Sequence, residues 1–136
     1  MVFADTSGFI AAWLDDEAHH AEAAQAWRQI AKRGQRILTT HLVLAETVTL
    51  MRRRRGWKAS RKAGEALLHS RQIEMVVLDR DGLDAGWRDF LRNPDPKLSL
   101  CDACSFVLMR ERGIGAAFTL DHHFADAGFD LVPALR

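Results

Sequence analysis

The stretch Val2-Phe3-Ala4-Asp5-Thr6-Ser7-Gly8 constrains the fold of this chain more than any other. Three apolar residues read as a short buried strand. An acid follows at once, and a hydroxyl pair and a glycine lead into the helical run Phe9-Ile10-Ala11-Ala12-Trp13-Leu14. Strand, acid, turn and helix is how an α/β protein sets a functional carboxylate at the C-terminal edge of its sheet. A helix cap explains the same residues, because Asp and Ser side chains satisfy the orphan N–H groups of a first turn. The stretch alone leaves both readings open, so what matters is where the other acids fall.

The rest of the chain alternates. Helical patterning runs from His19 to about Lys32, with Ala23, Ala26, Trp27 and Ile30 on one side, and Arg33-Gly34 ends it. Ile37-Leu38-Thr39 is a strand, and Thr40 caps a helix from His41 to Arg55. A further helix covers Lys58 to Ser70. The β-branched run Ile73 to Leu78 is a strand, Asp81 to Leu91 a helix, and Asn93-Pro94-Asp95-Pro96 a loop. Leu100 to Arg112 is helical, Ala116 to Leu120 a strand, Asp121 to Ala127 a short helix, and Phe129 to Val132 a last strand. Strands separated by helices imply a parallel sheet of four to five strands covered on both faces. At 136 residues, with three prolines and no Gly/Ser tract, the chain reads as a single domain, 1–136. With no visible signal peptide or membrane span and only two cysteines, the expected compartment is a reducing cytoplasm.

Four acids fall at informative places. Asp5 and Asp121 each follow a strand and open a helix. Asp102 sits in a first turn, where Ser99-x-x-Asp102 also matches a capping box. Glu46 has Leu42, Val43 and Leu50 as helical neighbours, which places a carboxylate within a stripe expected to face the core. A pairing with one of Arg52 to Arg55 is the plainer reading of Glu46, and because helix ends misphase, a position merely flanking the stripe is a further one. Carboxylates crowded together cannot all stay ionised without a counter-charge. Mg²⁺ or Mn²⁺ supplies one through oxygen ligands and retained waters. Such an ion also acidifies water and polarises a phosphoryl oxygen, the requirements for hydrolysing a phosphodiester in line to leave a 5′-phosphate.

Asp5-Thr6-Ser7 after an N-terminal strand, Glu46 in a helix, Ser99-Leu100-Cys101-Asp102-Ala103, and Thr119-Leu120-Asp121-His122-His123-Phe124 resemble the four signatures of PIN-domain ribonucleases, the VapC-type toxins of toxin–antitoxin pairs above all. The likeness runs from about Val2 to Pro133. It implies a three-layer α/β/α sandwich, a metal-dependent endoribonuclease, and a divalent ion held by Asp5, Glu46, Asp102 and Asp121. Thr6 or Ser7 would support that site through a hydroxyl. It further implies a homodimer, an RNA substrate, and an antitoxin whose C-terminal segment occupies the active-site groove. Cys101 and Cys104 depart from the small or aliphatic residues more usual beside this acid. The alternative is a PIN-like module that binds RNA or protein without cutting.

The net charge of +1 excludes a general polycation, so RNA contact must come from a local patch. The run Arg52-Arg53-Arg54-Arg55-Gly56-Trp57-Lys58-Ala59-Ser60-Arg61-Lys62 holds seven basic residues and no acid. Its cations suit phosphates and Trp57 suits an unpaired base. A solvated helix end, or a surface for an acidic antitoxin segment, explains the run equally well. The pair Cys101-x-x-Cys104 lacks the partners that zinc needs and reads as packing. His122 and His123 are expected to be exposed first-turn residues. No nucleophile elbow or phosphate-binding glycine loop is present. A phosphoacceptor receiver would need a lysine after a late strand, and the last lysine, Lys97, lies in the proline-flanked loop.

Overall fold

The computed structural model describes residues 1–134; residues 135–136 of the expected single domain lie outside the described residues. In chain order the elements are β1 (Val2–Ala4), α1 (Thr6–Trp13), α2 (His20–Lys32), β2 (Ile37–Thr40), α3 (His41–Arg55), α4 (Trp57–His69), β3 (Ile73–Val76), α5 (Arg80–Arg92), α6 (Leu100–Arg112), β4 (Ala116–Phe118), α7 (His122–Asp126) and β5 (Asp130–Val132). The five strands form one parallel sheet in the order β3-β2-β1-β4-β5, flanked by the helices. This is the expected α/β/α architecture. The boundaries differ mainly where strands stop. β3 ends at Val76 rather than Leu78, and β4 at Phe118 rather than Leu120. β3 is a half-buried edge strand, and Val77 beyond it is 71% exposed, so apolar content there overstated its length.

The strand order explains where a site can form. From β1 the chain crosses to β2 on one side, while β4 lies on the other. Loops after β1 and β4 therefore diverge, and the crevice between them at the C-terminal sheet edge is open to a ligand. β1 and β4 pair with Ala4 opposite Phe118, and Asp5 N–H donates to the Phe118 carbonyl at 3.0 Å. Asp5 and Thr119 therefore leave the sheet side by side.

The core beneath this edge is aromatic. Phe3, Phe9, Phe118 and Phe124 are fully buried. Phe9 stacks on Trp13 at 5.0 Å and meets Trp27 edge-on at 5.4 Å, while Phe106 meets Phe124 edge-on at 4.8 Å. Such pairs contribute beyond the area they bury. Two glycines permit close approaches. A Cβ on Gly8 would lie 2.4 Å from the Phe118 carbonyl oxygen, so only glycine lets α1 start against β4. A Cβ on Gly86 would lie 2.2 Å from Cys104 Sγ, where α5 packs on α6. The two cysteines are free, buried packing residues, as expected.

Candidate active site

Asp5 caps α1 and is 4% exposed. Its Oδ2 accepts hydrogen bonds from Ser7 Oγ and Thr119 Oγ1, both at 3.0 Å, and a longer one from Ser7 N at 3.4 Å. Oδ1 takes none of these bonds. Ser7 Oγ also lies 2.9 Å from Thr119 Oγ1 and accepts from Leu120 N at 3.0 Å. One hydroxyl thus fastens the turn after β1 to the turn after β4. Ser99 and Asp102 form the expected capping box: Asp102 N donates to Ser99 Oγ at 2.9 Å, and Ser99 N to Asp102 Oδ2 at 3.1 Å. Asp121 caps α7 by accepting from His123 N at 2.9 Å. Capping and clustering are therefore not rival readings. Asp5, Asp102 and Asp121 cap their helices and also face one hollow, because helix N-termini are brought to this sheet edge.

Glu46 joins them by a different route. The buried residues of α3 are Val43, Thr47 and Met51, and Glu46 lies one position off that stripe, exposed beside Leu50. Of the two placements expected of Glu46, within a core-facing stripe or flanking it, the first is corrected and the second is found. One residue turns a helix by 100°, enough to carry a side chain from the core to its rim. Glu46 Oε2 accepts from Thr6 Oγ1 at 3.2 Å rather than pairing with an arginine of the basic run. The two hydroxyls divide their work, Thr6 on Glu46 and Ser7 on Asp5.

All four acids line one hollow of about 490 Å³, together with Thr6, Ser7, Glu17, Arg54 and Lys97. Burial first, and then the charge of Asp102, push the Asp5 carboxyl up from 3.8 to about 7 against its hydrogen bonds. Burial also raises Asp102, and the charges of Asp121 and Glu46 add to it while Ser99 opposes. The Cys101 thiol is driven far up by burial and by Glu46 and Asp5, so it stays protonated and is neither a ready thiolate ligand nor an easily oxidised one. Two buried carboxylates, Asp5 and Asp102, with Glu46 and Asp121 at the rim and a neutral thiol beside them, form an all-oxygen donor set, which suits a hard divalent cation. Among the described residues, the grouping with three ligand atoms within 4.8 Å of one another is Asp121, His122 and His123. The four acids are spread more widely than that. That spread suits an ion that keeps several of its waters, as Mg²⁺ commonly does.

Three placements were not legible in the sequence. His123 is 7% exposed, not a solvated first-turn residue. Its Nδ1 lies 2.6 Å from Asp121 Oδ1 and its Nε2 2.9 Å from Asp95 Oδ2. Burial alone would lower its pKa, but the bonds to Asp95 and Asp121 outweigh burial and raise it. Lys97 reaches the hollow from the proline-flanked loop. The basic run does not act as one patch. Arg54 is bonded to Glu17 and, at 3.0 Å, to Asp16; Arg55 pairs with Asp15 and Asp16. Arg54 lines the acidic hollow, Arg53 a shallow groove beside Glu46, and Arg55 and Lys58 a separate apolar groove. Arg52 is exposed, and Trp57 is exposed with the Arg61 guanidinium 5.7 Å from its ring. A helix end spreads successive side chains around its axis, which divides a contiguous run among faces.

A family profile described as "PIN domain" matches residues 2–130. The chain is 34% identical over 129 residues to a protein named "23S rRNA-specific endonuclease VapC20" from Mycobacterium tuberculosis strains H37Rv and CDC 1551, covering 95% of each chain. A crystal structure of M. tuberculosis VapC20, titled a sarcin–ricin loop cleaving toxin, superposes with a TM-score of 0.85 at 32% identity, over 95% of this chain and 96% of that one.

Proposed function

The chain belongs to the PIN-domain family, and on that footing we propose that it is a divalent-metal-dependent endoribonuclease acting as the toxin of a toxin–antitoxin pair. The observation that carries this reading is the convergence of Asp5, Glu46, Asp102 and Asp121 on one hollow at the β1/β4 switch point. Mg²⁺ or Mn²⁺ is the proposed ion, which Asp5, Glu46, Asp102 and Asp121 would hold. When bound, such an ion supplies charge neutralisation, an acidified water and polarisation of a phosphoryl oxygen. The protein's own residues do the positioning. Ser7 and Thr119 hold Oδ2 of Asp5 and so turn Oδ1 away from them. Thr6 orients Glu46. The capping box fixes Asp102, and His123 fixes Asp121. Hydrolysis by an added water leaves a 5′-phosphate and does not use the ribose 2′-hydroxyl as nucleophile.

The proposed substrate is ribosomal RNA in a structured loop, by similarity to the relative named for that activity. The proposed protein partners are a cognate antitoxin and a second copy of the chain. The apolar groove of about 720 Å³ lined by Trp13, Leu14, Met51 and Ala63 and rimmed by Arg55, Lys58 and Lys62 supports an antitoxin segment that is apolar and acidic. Leu83, Trp87 and Leu91 form an exposed row along α5, which supports self-association. No helix among the described residues is long and apolar enough to cross a membrane, and a cytoplasmic site of action is part of the proposal, as is a single domain spanning the chain.

Purified protein incubated with ribosomes or with deproteinised ribosomal RNA should cut at discrete positions in Mg²⁺ or Mn²⁺ and not in EDTA. Mapped fragments should carry 5′-phosphates. Cleavage that persists in EDTA, or equally in Asp5→Asn and Asp102→Asn, overturns the reading. Tight RNA binding with no turnover in any divalent ion supports a non-catalytic module instead.

A further inference from the structure

A nuclease whose hollow is lined by five carboxylates, Glu17 among them, must draw a polyanion toward negative charge. Two cations line that hollow, Arg54 and Lys97. Arg54 is engaged by Asp16 and Glu17. Lys97 is exposed and takes part in no ion pair among the described residues. We propose that Lys97 contacts an RNA backbone phosphate beside the scissile bond, and that Asp95 and His123 are positioning residues that hold it there. The inference rests on the endoribonuclease reading above.

Lys97 is not on a free loop. Asp95 Oδ1 accepts from Lys97 N at 2.9 Å, and the Asp95 carbonyl from Leu98 N at 3.2 Å. Asn93 Oδ1 accepts from Asp95 N at 3.1 Å. Pro94 and Pro96 fix φ on either side of Asp95. Leu98 is buried and anchors the loop's exit. The other oxygen of Asp95 meets His123 Nε2 at 2.9 Å, and His123 Nδ1 meets Asp121 Oδ1 at 2.6 Å. An unbroken chain of hydrogen bonds thus runs from a site acid, through a buried imidazole, to the backbone of the lysine that faces the acids. Only a side chain with two ring nitrogens aimed apart makes this link from α7. The neighbouring Phe124, 0% exposed, anchors that helix in the core. The substrate supplies the counter-charge that Lys97 lacks, and its approach is directed by the same link that orients Asp121.

The test measures binding of a ribosomal-RNA hairpin in Asp5→Asn protein, which retains the surface but does not cut, as a function of KCl. Adding Lys97→Ala should weaken binding roughly tenfold, the loss expected for one charge-assisted contact. It should also lower the slope of log affinity against log salt by about 0.7 to 0.9, the signature of one phosphate contact removed. Lys97→Arg should restore the slope. Asp95→Ala, in an exposed loop, should lower affinity and slope in the same direction. Asp95→Asn, which keeps an oxygen for Lys97 N–H, should recover part of both. An unchanged slope and affinity in Lys97→Ala overturns the proposal. Asp95→Ala that reduces thermal stability but leaves the slope intact overturns the positioning role. If wild-type protein cuts no RNA in any divalent ion, the endoribonuclease reading itself fails; if it cuts while Lys97→Ala behaves as its parent, only this inference does.

Discussion

Replacing Asp5 by asparagine separates the stability of this protein from its chemistry. In the folded chain the Asp5 carboxyl titrates at about 7 rather than 3.8, because it is buried and faces Asp102. A carboxyl whose pKa is raised by folding stabilises the fold while protonated. That contribution is complete below 3.8 and is lost as pH rises through 7. Each pKa unit of difference between the folded and unfolded chain is worth about 1.4 kcal/mol. Relative to its acid form, the metal-free protein therefore gives up roughly 4 kcal/mol at pH 8 and roughly 2 kcal/mol at pH 5, a loss of roughly 2 to 3 kcal/mol between them. The Asp5→Asn side chain keeps an oxygen to accept from Ser7 and Thr119 and has no charge to bury, so this share of the pH dependence vanishes. Urea melts in EDTA should show wild type falling by roughly 2 to 3 kcal/mol from pH 5 to pH 8, or about 10 °C in Tm for a chain of this size. The variant should fall by markedly less and be the more stable of the two at pH 8. Millimolar Mg²⁺ at pH 8 should recover the wild type and leave the variant unmoved, because only an ion that binds the folded chain stabilises it. Equal pH dependence in the two proteins would refute the argument that Asp5 is a buried acid whose charge the fold disfavours until a cation binds.

Other substitutions read other parts of the fold. Asp102→Asn should lose metal-dependent cleavage at little cost in stability, since the amide oxygen still accepts from Ser99 N; Asp102→Ala should cost about 1 kcal/mol more by opening the capping box, measured by thermal unfolding. Thr6→Val should lower kcat while changing stability by only about 1 kcal/mol, because it frees Glu46 without disturbing the core; an unchanged kcat would remove Glu46 orientation from the mechanism. Gly8→Ala should destabilise by roughly 3 kcal/mol or more in chemical denaturation, since the added carbon meets the Phe118 carbonyl at 2.4 Å. Trp87→Glu or Leu91→Glu should convert a dimer to a soluble monomer in sedimentation, and an unaffected dimer would place the self-association surface elsewhere than α5.

The elements, their order and the four acids were legible in the sequence, because element ends and helical neighbours depend on short-range rules. Alternation and caps are written within a few residues, so Ser99-x-x-Asp102 predicts its own capping box and Val2-Phe3-Ala4-Asp5 its own strand end. The phase of α3 was less secure. Leu42, Val43 and Leu50 suggested a stripe containing Glu46, but the burial of Thr47 and Met51 turned that helix so that Glu46 faces the hollow from the rim. The arginine run looked like one surface and proved to be several, because Asp15, Asp16 and Glu17 arrive from a distant loop to claim Arg54 and Arg55.

By itself the sequence determined a parallel α/β chain with acids at the ends of its elements. The tertiary structure alone decided which side chains meet. Asp5 and Thr119 become neighbours through the pairing of β1 with β4, and His123 joins Asp121 to Asp95 through the packing of α7 under a loop 28 residues away. Local patterning carries no record of such partners, because the energy that selects them comes from burial and hydrogen bonding between segments that only the folded chain brings together.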